Sequence, residues 1–365
     1  MLALLPAALL VSCSDDECCS APNTDKTAHE GAAPVAEVEE DYHVTGNCAM
    51  EFTAADSARR EAKYAEPGVK MVELSNGYRV FTQTVGESPD VKILALHGGP
   101  ACTHEYMKAL SNVLPESRGY EIILYDQLGS YYSDQPTEDL WNLDRWCEEV
   151  EEVRQALGLN KDNFYILGNS WGGILGMEYA LRYQENLNGL IISNMVTSIP
   201  EYAAYNEEVL RPQMDTEVLA KLVAYEEAGD IQNEEFLQLV NDHFYAKHIC
   251  RLEEWPEDIT GSFERLNYKL YDLMQGPSEF RVGGRLIDWD ITDRLGEITV
   301  PTLMVGAEHD TMDPDKMTQQ ANLVANGRSL HCYNGSHLCM WDDQEAFMGG
   351  VASFIEDVEA GRPMR

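Results

Sequence analysis

Ser170 lies in Gly168-Asn169-Ser170-Trp171-Gly172-Gly173, a G-x-S-x-G run. The apolar stretch Phe164-Tyr165-Ile166-Leu167 reads as a strand before it, and Ile174 to Leu181 reads as a helix after it. A serine on so sharp a turn holds a strained backbone and an exposed hydroxyl, and the small glycines leave room for the turn. The helix N-terminus behind it favours developing negative charge. Glycine and serine are common in loops, so the run by itself is weak. The strand before and the helix after give it weight as a nucleophile elbow rather than a structural turn.

A serine hydroxyl needs a base within hydrogen-bond reach and a third group to orient that base. The expected chain order is serine, acid, histidine. Thr302-Leu303-Met304-Val305 reads as a strand running into Gly306-Ala307-Glu308-His309-Asp310. Asp310 therefore sits just past a strand end, where the acid is wanted; Glu308 and Asp313 are its rivals. Asn334-Gly335-Ser336-His337 follows the last strand and makes His337 the base. His309 and His331 read as structural or surface histidines. An oxyanion needs two backbone N–H donors aimed at one point. Trp171, next to the serine, supplies one. Gly99, in the post-strand run His97-Gly98-Gly99-Pro100, supplies the other, unless that run is only a glycine-rich turn.

These residues need a frame. Val69 to Leu74 and Tyr78 to Thr84 alternate as strands around the hairpin signal Asn76-Gly77. Val91 to Leu96, Tyr120 to Tyr125, Leu190 to Ser193 and Ser329 to Tyr333 add strands. Leu140, Leu143, Cys147, Val150 and Val153 recur at helical spacing, which predicts a helix over Glu138 to Leu157. A last helix is expected from Gln344 to Glu359. Strands alternating with helices imply an α/β fold, a mostly parallel sheet covered on both faces. The alternation stops between Thr197 and Arg285, where apolar residues recur at helical spacing among charges. A helical cap is expected there, above the carboxyl ends of the strands. The expected organisation is a core over 63–196 and 286–365 interrupted by a cap over 197–285.

The chain has 365 residues, 63 Asp+Glu against 26 Lys+Arg, and a formal charge of -37. Phosphate neutralisation needs a basic face, so nucleic acid is excluded as a partner. An acidic surface attracts cationic ligands such as peptides with a free amino terminus, although the acid could serve solubility alone. No C-x-x-C or H-E-x-x-H pattern occurs, so neither metal nor cofactor is expected. Leu2 to Val11 is apolar, too short to span a bilayer, and leads to Leu10-Val11-Ser12-Cys13. That run resembles the lipobox of bacterial lipoproteins, which implies a signal over 1–13 and a lipid anchor at Cys13. Plain secretion and a cytoplasmic protein are the alternatives, and Met1 lacks the usual positive flank. Residues 14–62 are poor in large apolar side chains and are expected to be a flexible acidic tether whose last part could be ordered. Apart from Cys13, eight cysteines remain, which permits disulfides after export.

Four motifs in combination resemble the proline iminopeptidases (prolyl aminopeptidases), serine peptidases of the α/β-hydrolase fold. They are His97-Gly98-Gly99-Pro100, Asp126-Gln127-Leu128-Gly129-Ser130, Gly168 to Gly173 and Gly335-Ser336-His337. The resemblance runs from about Val69 to the C-terminal helix. It implies release of an N-terminal residue, preferably proline, from short peptides. It also implies that carboxylates from the cap hold the substrate's amino group. Glu279, in Gly276-Pro277-Ser278-Glu279-Phe280, matches one of these, and a buried ammonium does need a countercharge. Thr311 stands where some members carry a second glutamate, and Ala101 replaces the glycine that closes H-G-G-P-G. Asp126 reads as a brace for loops around the site. Amidase and esterase activity on the same scaffold remain open. Ser170 argues against an epoxide hydrolase, and an intact set of catalytic types argues against a non-catalytic binding protein.

Overall fold

The computed structural model describes residues 50–364. The signal over 1–13, its Cys13 and the tether from residue 14 to residue 49 lie outside the described residues. Eight strands form one sheet: β1 Val69–Glu73, β2 Arg79–Val85, β3 Lys92–Leu96, β4 Glu121–Asp126, β5 Phe164–Asn169, β6 Gly189–Ser193, β7 Thr302–Ala307 and β8 Gly327–Cys332. Their spatial order is β1-β2-β4-β3-β5-β6-β7-β8. β1 and β2 form the hairpin across Asn76-Gly77, and β2 joins β4 antiparallel. From β4 onward every pairing is parallel.

Every residue of β4, β5, β6 and β7 is buried, which is why these strands read as unbroken apolar runs. Side chains still alternate between the faces. Leu94, Ile166 and Ile192 pack with Val150 of helix α2 (Leu143–Ala156) and Ile174 of helix α3 (Trp171–Tyr183). Ile93, Leu167 and Ile191 pack on the other face with Phe347, Val351 and Phe354. Those three belong to the C-terminal helix Gln344–Glu359. Each such side chain contributes about 1.5–3 kcal/mol when fully buried. The helix expected from Glu138 begins as a separate 3-10 turn, Glu138–Leu140. α2 itself starts where the Asn142 side chain accepts the Arg145 N–H at 2.9 Å.

The last part of the tether expected over 14–62 is ordered: Ala54–Tyr64 forms helix α1. Thr53 and Asp56 close a capping box at its start. Its anchors are largely polar, so an apolar pattern could not announce it. Tyr131 donates to Asp56 at 2.8 Å, Tyr64 donates to the Tyr132 carbonyl at 2.8 Å, and Arg60 donates to the Ser133 carbonyl at 3.1 Å.

Between β6 and β7 the chain leaves the sheet and builds the cap. Its neck is drawn shut by an antiparallel bridge between Ser198 and Asp290. Ile199 N–H donates to Trp289 C=O and Ile291 N–H to Thr197 C=O, both at 2.9 Å. The insertion therefore closes a few residues past the expected boundary at 285. Leu210, Leu222, Phe236, Val240, Phe244 and Phe280 give the cap its own apolar cluster. Arg265 clamps it to the loop after β3 with two bonds to Glu105, at 2.7 and 2.8 Å. The described cysteines (Cys102, Cys147, Cys250, Cys332 and Cys339) are buried free thiols.

Close approach at the β5–α3 turn leaves no room for a methyl group. A Cβ on Gly172 would lie 2.1 Å from the Leu96 carbonyl oxygen, and one on Gly168 would lie 2.0 Å from that of Gly172. Gly349, in the C-terminal helix, has nothing within 4 Å of a Cβ. Gly172→Ala is therefore expected to lower the thermal midpoint sharply or to block folding. Gly349→Ala should raise stability by about 0.5–1 kcal/mol. Similar small shifts in both variants, read by thermal melts, would contradict this packing.

Candidate active site

The carboxyl ends of the parallel strands deliver the functional side chains. Ser170 follows β5 directly with φ 55 and ψ -127, and opens α3. This positive φ is costly for a residue with a Cβ, and the surrounding packing holds it. Ser170 N–H donates to the Ser193 carbonyl at 3.0 Å. A Cβ on Gly98 would come within 2.9 Å of Ser170 Cβ, so the β3 loop presses against the serine.

Asp310 follows β7, and His337 follows β8. His337 Nδ1 and Asp310 Oδ1 are 2.7 Å apart, and Asp310 is fully buried. With Nδ1–H donated to Asp310, Nε2 carries the lone pair. Ser170 and His337 line one cavity. Ser170 Oγ makes no hydrogen bond to another described residue, a looseness common in ligand-free sites. Burial pulls His337 towards the neutral form, but the Asp310 charge and hydrogen bond outweigh it and hold its pKa above the ordinary 6.5. The two rivals are engaged elsewhere. Glu308 pairs with His331 at 3.0 Å, and Asp313 caps the helix Pro314–Ala321.

The loop after β3 is fixed so that one amide remains available. His97 Nδ1–H donates to Gly98 C=O at 2.9 Å, and His97 Nε2 accepts from Gln127 N–H at 3.2 Å. Cys102 N–H also reaches Gly98 C=O, at 3.4 Å. A trans peptide turns its N–H opposite to its carbonyl, so this grip aims Gly99 N–H away from His97. Gly98 N–H is already donated to Tyr106 OH at 2.6 Å. Trp171 is the first residue of α3, where no preceding helical turn accepts its N–H. Ala101 holds φ 70, a left-handed value that glycine adopts without strain. Asp126 accepts from His104 N–H at 2.6 Å and from His104 Nδ1 at 2.7 Å, and so braces this loop from below.

Glu279 lines the same cavity from the cap and is 7% exposed. Tyr271 OH donates to its Oε1 at 2.7 Å, and Tyr202 OH donates to its Oε2. Asn206 holds its backbone carbonyl at 2.7 Å. Among the described residues no Lys, Arg or His forms an ion pair with it. Thr311 is buried against the Asp310–His337 pair, 3.3 Å from Asp310 Oδ1 and 3.4 Å from His337 Nδ1. Its hydroxyl cannot replace a second glutamate as a countercharge. The cavity holds about 350 Å³ and is mostly apolar, with Phe236, Ile249, Phe263 and Leu338 in its wall. Among the described residues no group of three His, Cys, Asp or Glu is placed to hold a metal ion.

Four residues here were not singled out in the sequence: Tyr106, Asn194, Tyr202 and Tyr271. Tyr106 OH receives Gly98 N–H and donates to Asn169 at 2.9 Å. Asn194 Nδ2 donates to Asp310 Oδ2 at 2.7 Å. Its place just past the apolar strand Leu190 to Ser193 was the available signal, the same one that marks Ser170 and Asp310. The tyrosines lie on helices and carry no such mark.

Residues 92–344 match the family model described as alpha/beta hydrolase fold. A proline iminopeptidase of Flavobacterium johnsoniae is 53% identical over 282 residues, 77% of this chain and 95% of the relative. One of Elizabethkingia meningoseptica is 54% identical over 285 residues, again 77% and 95%. The crystal structure of proline iminopeptidase from Mycobacterium smegmatis superposes with a TM-score of 0.73 at 30% identity. It covers 80% of this chain and 99% of that one.

The electrostatics of the pair can be read directly by NMR titration of His337. The wild type should titrate above 6.5. Asp310→Asn removes the largest opposition to burial and leaves only the weaker pull of the Glu279 and Asp342 charges, so the value should fall. An unchanged value in that variant would show that Asp310 does not govern His337.

Proposed function

The chain belongs to the proline iminopeptidases, within the α/β-hydrolase fold, and from that premise we propose that it releases an N-terminal residue, preferably proline, from short peptides by serine catalysis. The observation that carries this reading is Glu279. It is a buried carboxylate with phenol donors but no cation, facing the cavity that also holds Ser170 and His337. Leaving such a carboxylate without a counter-ion is costly, and a bound ammonium supplies one. Only a substrate with a free amino terminus brings that charge next to its first carbonyl.

In this reading Ser170 Oγ attacks the carbonyl carbon of the first residue while His337 Nε2 takes the hydroxyl proton. Asp310 orients the ring and stabilises the imidazolium. The oxyanion accepts the N–H groups of Gly99 and Trp171, which stand ready before charge develops. As the tetrahedral intermediate collapses, the C–N bond breaks and His337 protonates the departing amine. Water then attacks the Ser170 ester with His337 again as base, releasing the amino acid and restoring Ser170. The elements that support these roles are the Asp310–His337 hydrogen bond, the left-handed Ser170 and the grip on Gly98. Asp126 has a bracing role, away from the reacting atoms.

Hydrolysis of simple esters or of N-blocked amides differs in not needing the ammonium. Prolyl- and alanyl-arylamides, with N-acetylprolyl-arylamide and a simple ester beside them, separate the readings. The free prolyl substrate should be cleaved fastest and the acetylated one not at all. Ser170→Ala should abolish turnover. Glu279→Gln should lower kcat/KM at least about a hundredfold, the order expected when a buried charge pair is lost. Equal cleavage of the acetylated substrate, or wild-type kcat/KM in Glu279→Gln, would move the assignment to the amidase or esterase.

A further inference from the structure

We propose that Asn194 is a positioning residue for catalysis, whose side-chain amide locks Asp310 and the His337 loop into one arrangement. The inference rests on the reading of Asp310 and His337 as acid and base. Asn194 is fully buried immediately after β6, between the serine-bearing β5 and the acid-bearing β7. Its Nδ2 donates to Asp310 Oδ2 at 2.7 Å and to the Ser336 carbonyl at 3.2 Å. Its Oδ1 accepts from Ser193 Oγ at 2.6 Å and from Cys339 Sγ at 3.1 Å. The amide orientation follows from the two acceptor-only partners: a flip would set the Asn194 oxygen against Asp310 Oδ2 and the Ser336 carbonyl, whereas the Ser193 hydroxyl and Cys339 thiol can rotate to suit either end.

This divides the carboxylate of Asp310. Oδ2 goes to Asn194, and Oδ1 is left for His337 Nδ1. The same NH₂ also ties Ser336, the residue before His337, so one side chain sets the spacing between the loops after β7 and β8. The backbone supplies a second, independent sign. Asn194 holds φ 56, in the left-handed region, and its N–H is pinned to the Val305 carbonyl at 2.8 Å. Asparagine tolerates that region better than most residues, yet glycine is freer there. Strain kept at a buried polar residue against the acid points to the side chain as the reason. Serine, aspartate and leucine fail one requirement each: reach, a neutral donor, or polarity.

The tests are kinetic and spectroscopic. Asn194→Gly removes the amide and leaves a backbone at ease with φ 56, so the thermal midpoint should not collapse. Its kcat on prolyl-arylamide should fall about tenfold to a hundredfold, the range for losing a group that orients a functional side chain, with KM within about threefold. The downfield proton resonance of the His337–Asp310 hydrogen bond should shift or broaden. Asn194→Asp sets a second carboxyl against Asp310 Oδ2, and the two share a proton. While the proton is held it donates as the amide did; once it leaves, the carboxylates repel. This variant should gain an alkaline fall in kcat at a pH where the wild type stays active. Asp310→Asn separates the two possible failures. Wild-type kcat in that variant would sink the triad assignment, and this inference with it. An inactive Asp310→Asn beside an Asn194→Gly with wild-type kcat, or one altered only in thermal midpoint, would make Asn194 a packing residue and overturn this inference alone.

Discussion

The parallel register running from β3 through β5, β6 and β7 to β8 is the constraint on which the site depends. Parallel strands end on the same side, so whatever follows each strand meets its neighbours there. Gly99 follows β3, Ser170 follows β5, Asn194 follows β6, Asp310 follows β7 and His337 follows β8. Residues scattered over more than two hundred positions become adjacent because every strand between them runs one way. The seating of α3 on the sheet in turn depends on the glycines under the elbow. Gly172 lies so close to the Leu96 carbonyl that any side chain would drive α3 off the sheet and carry Ser170 with it.

The cap supplies what the sheet cannot. In the proposed mechanism sheet and loops provide the nucleophile, the base and the oxyanion donors, which would serve an ester as well as a peptide. As proposed, Glu279 adds a requirement for positive charge beside the first carbonyl. This carboxylate is enclosed, held by tyrosine hydroxyls and turned to the cavity. The cap is joined to the oxyanion loop through Arg265–Glu105, and its Ile249 and His248 carbonyls receive Leu338 and His337 N–H at 2.9 Å. The cap that carries Glu279 and the loops after β3 and β8 are therefore tied together by hydrogen bonds.

Much of this was legible because it is local. The elbow, the hairpin at Asn76-Gly77 and the C-terminal helix Gln344–Glu359 are written in contiguous residues. Asp310 is favoured by its place in the loop past a strand end, with Glu308 and Asp313 left as rivals, and the structure gives each rival another partner. The helix Ala54–Tyr64 was hidden because polar bonds to Tyr131, Tyr132 and Ser133 anchor it. The tyrosines around Glu279 were hidden for a different reason. Tyr202 reaches it across 77 positions of chain, and no periodicity encodes that encounter. Asn194 lay at a legible position, but a lone asparagine after a strand is an ordinary turn residue until its four partners are seen.

Glu279 is proposed to wait for an ammonium. Calorimetric binding to the Ser170→Ala protein tests it without any chemical step, using prolinamide and tetrahydrofuran-2-carboxamide, which differ in ring NH₂⁺ against ring oxygen. Prolinamide should bind at least about a hundredfold tighter, a gap of roughly 2.7 kcal/mol, and Glu279→Gln should erase the difference. Equal affinities of the two ligands for the Ser170→Ala protein would contradict the account.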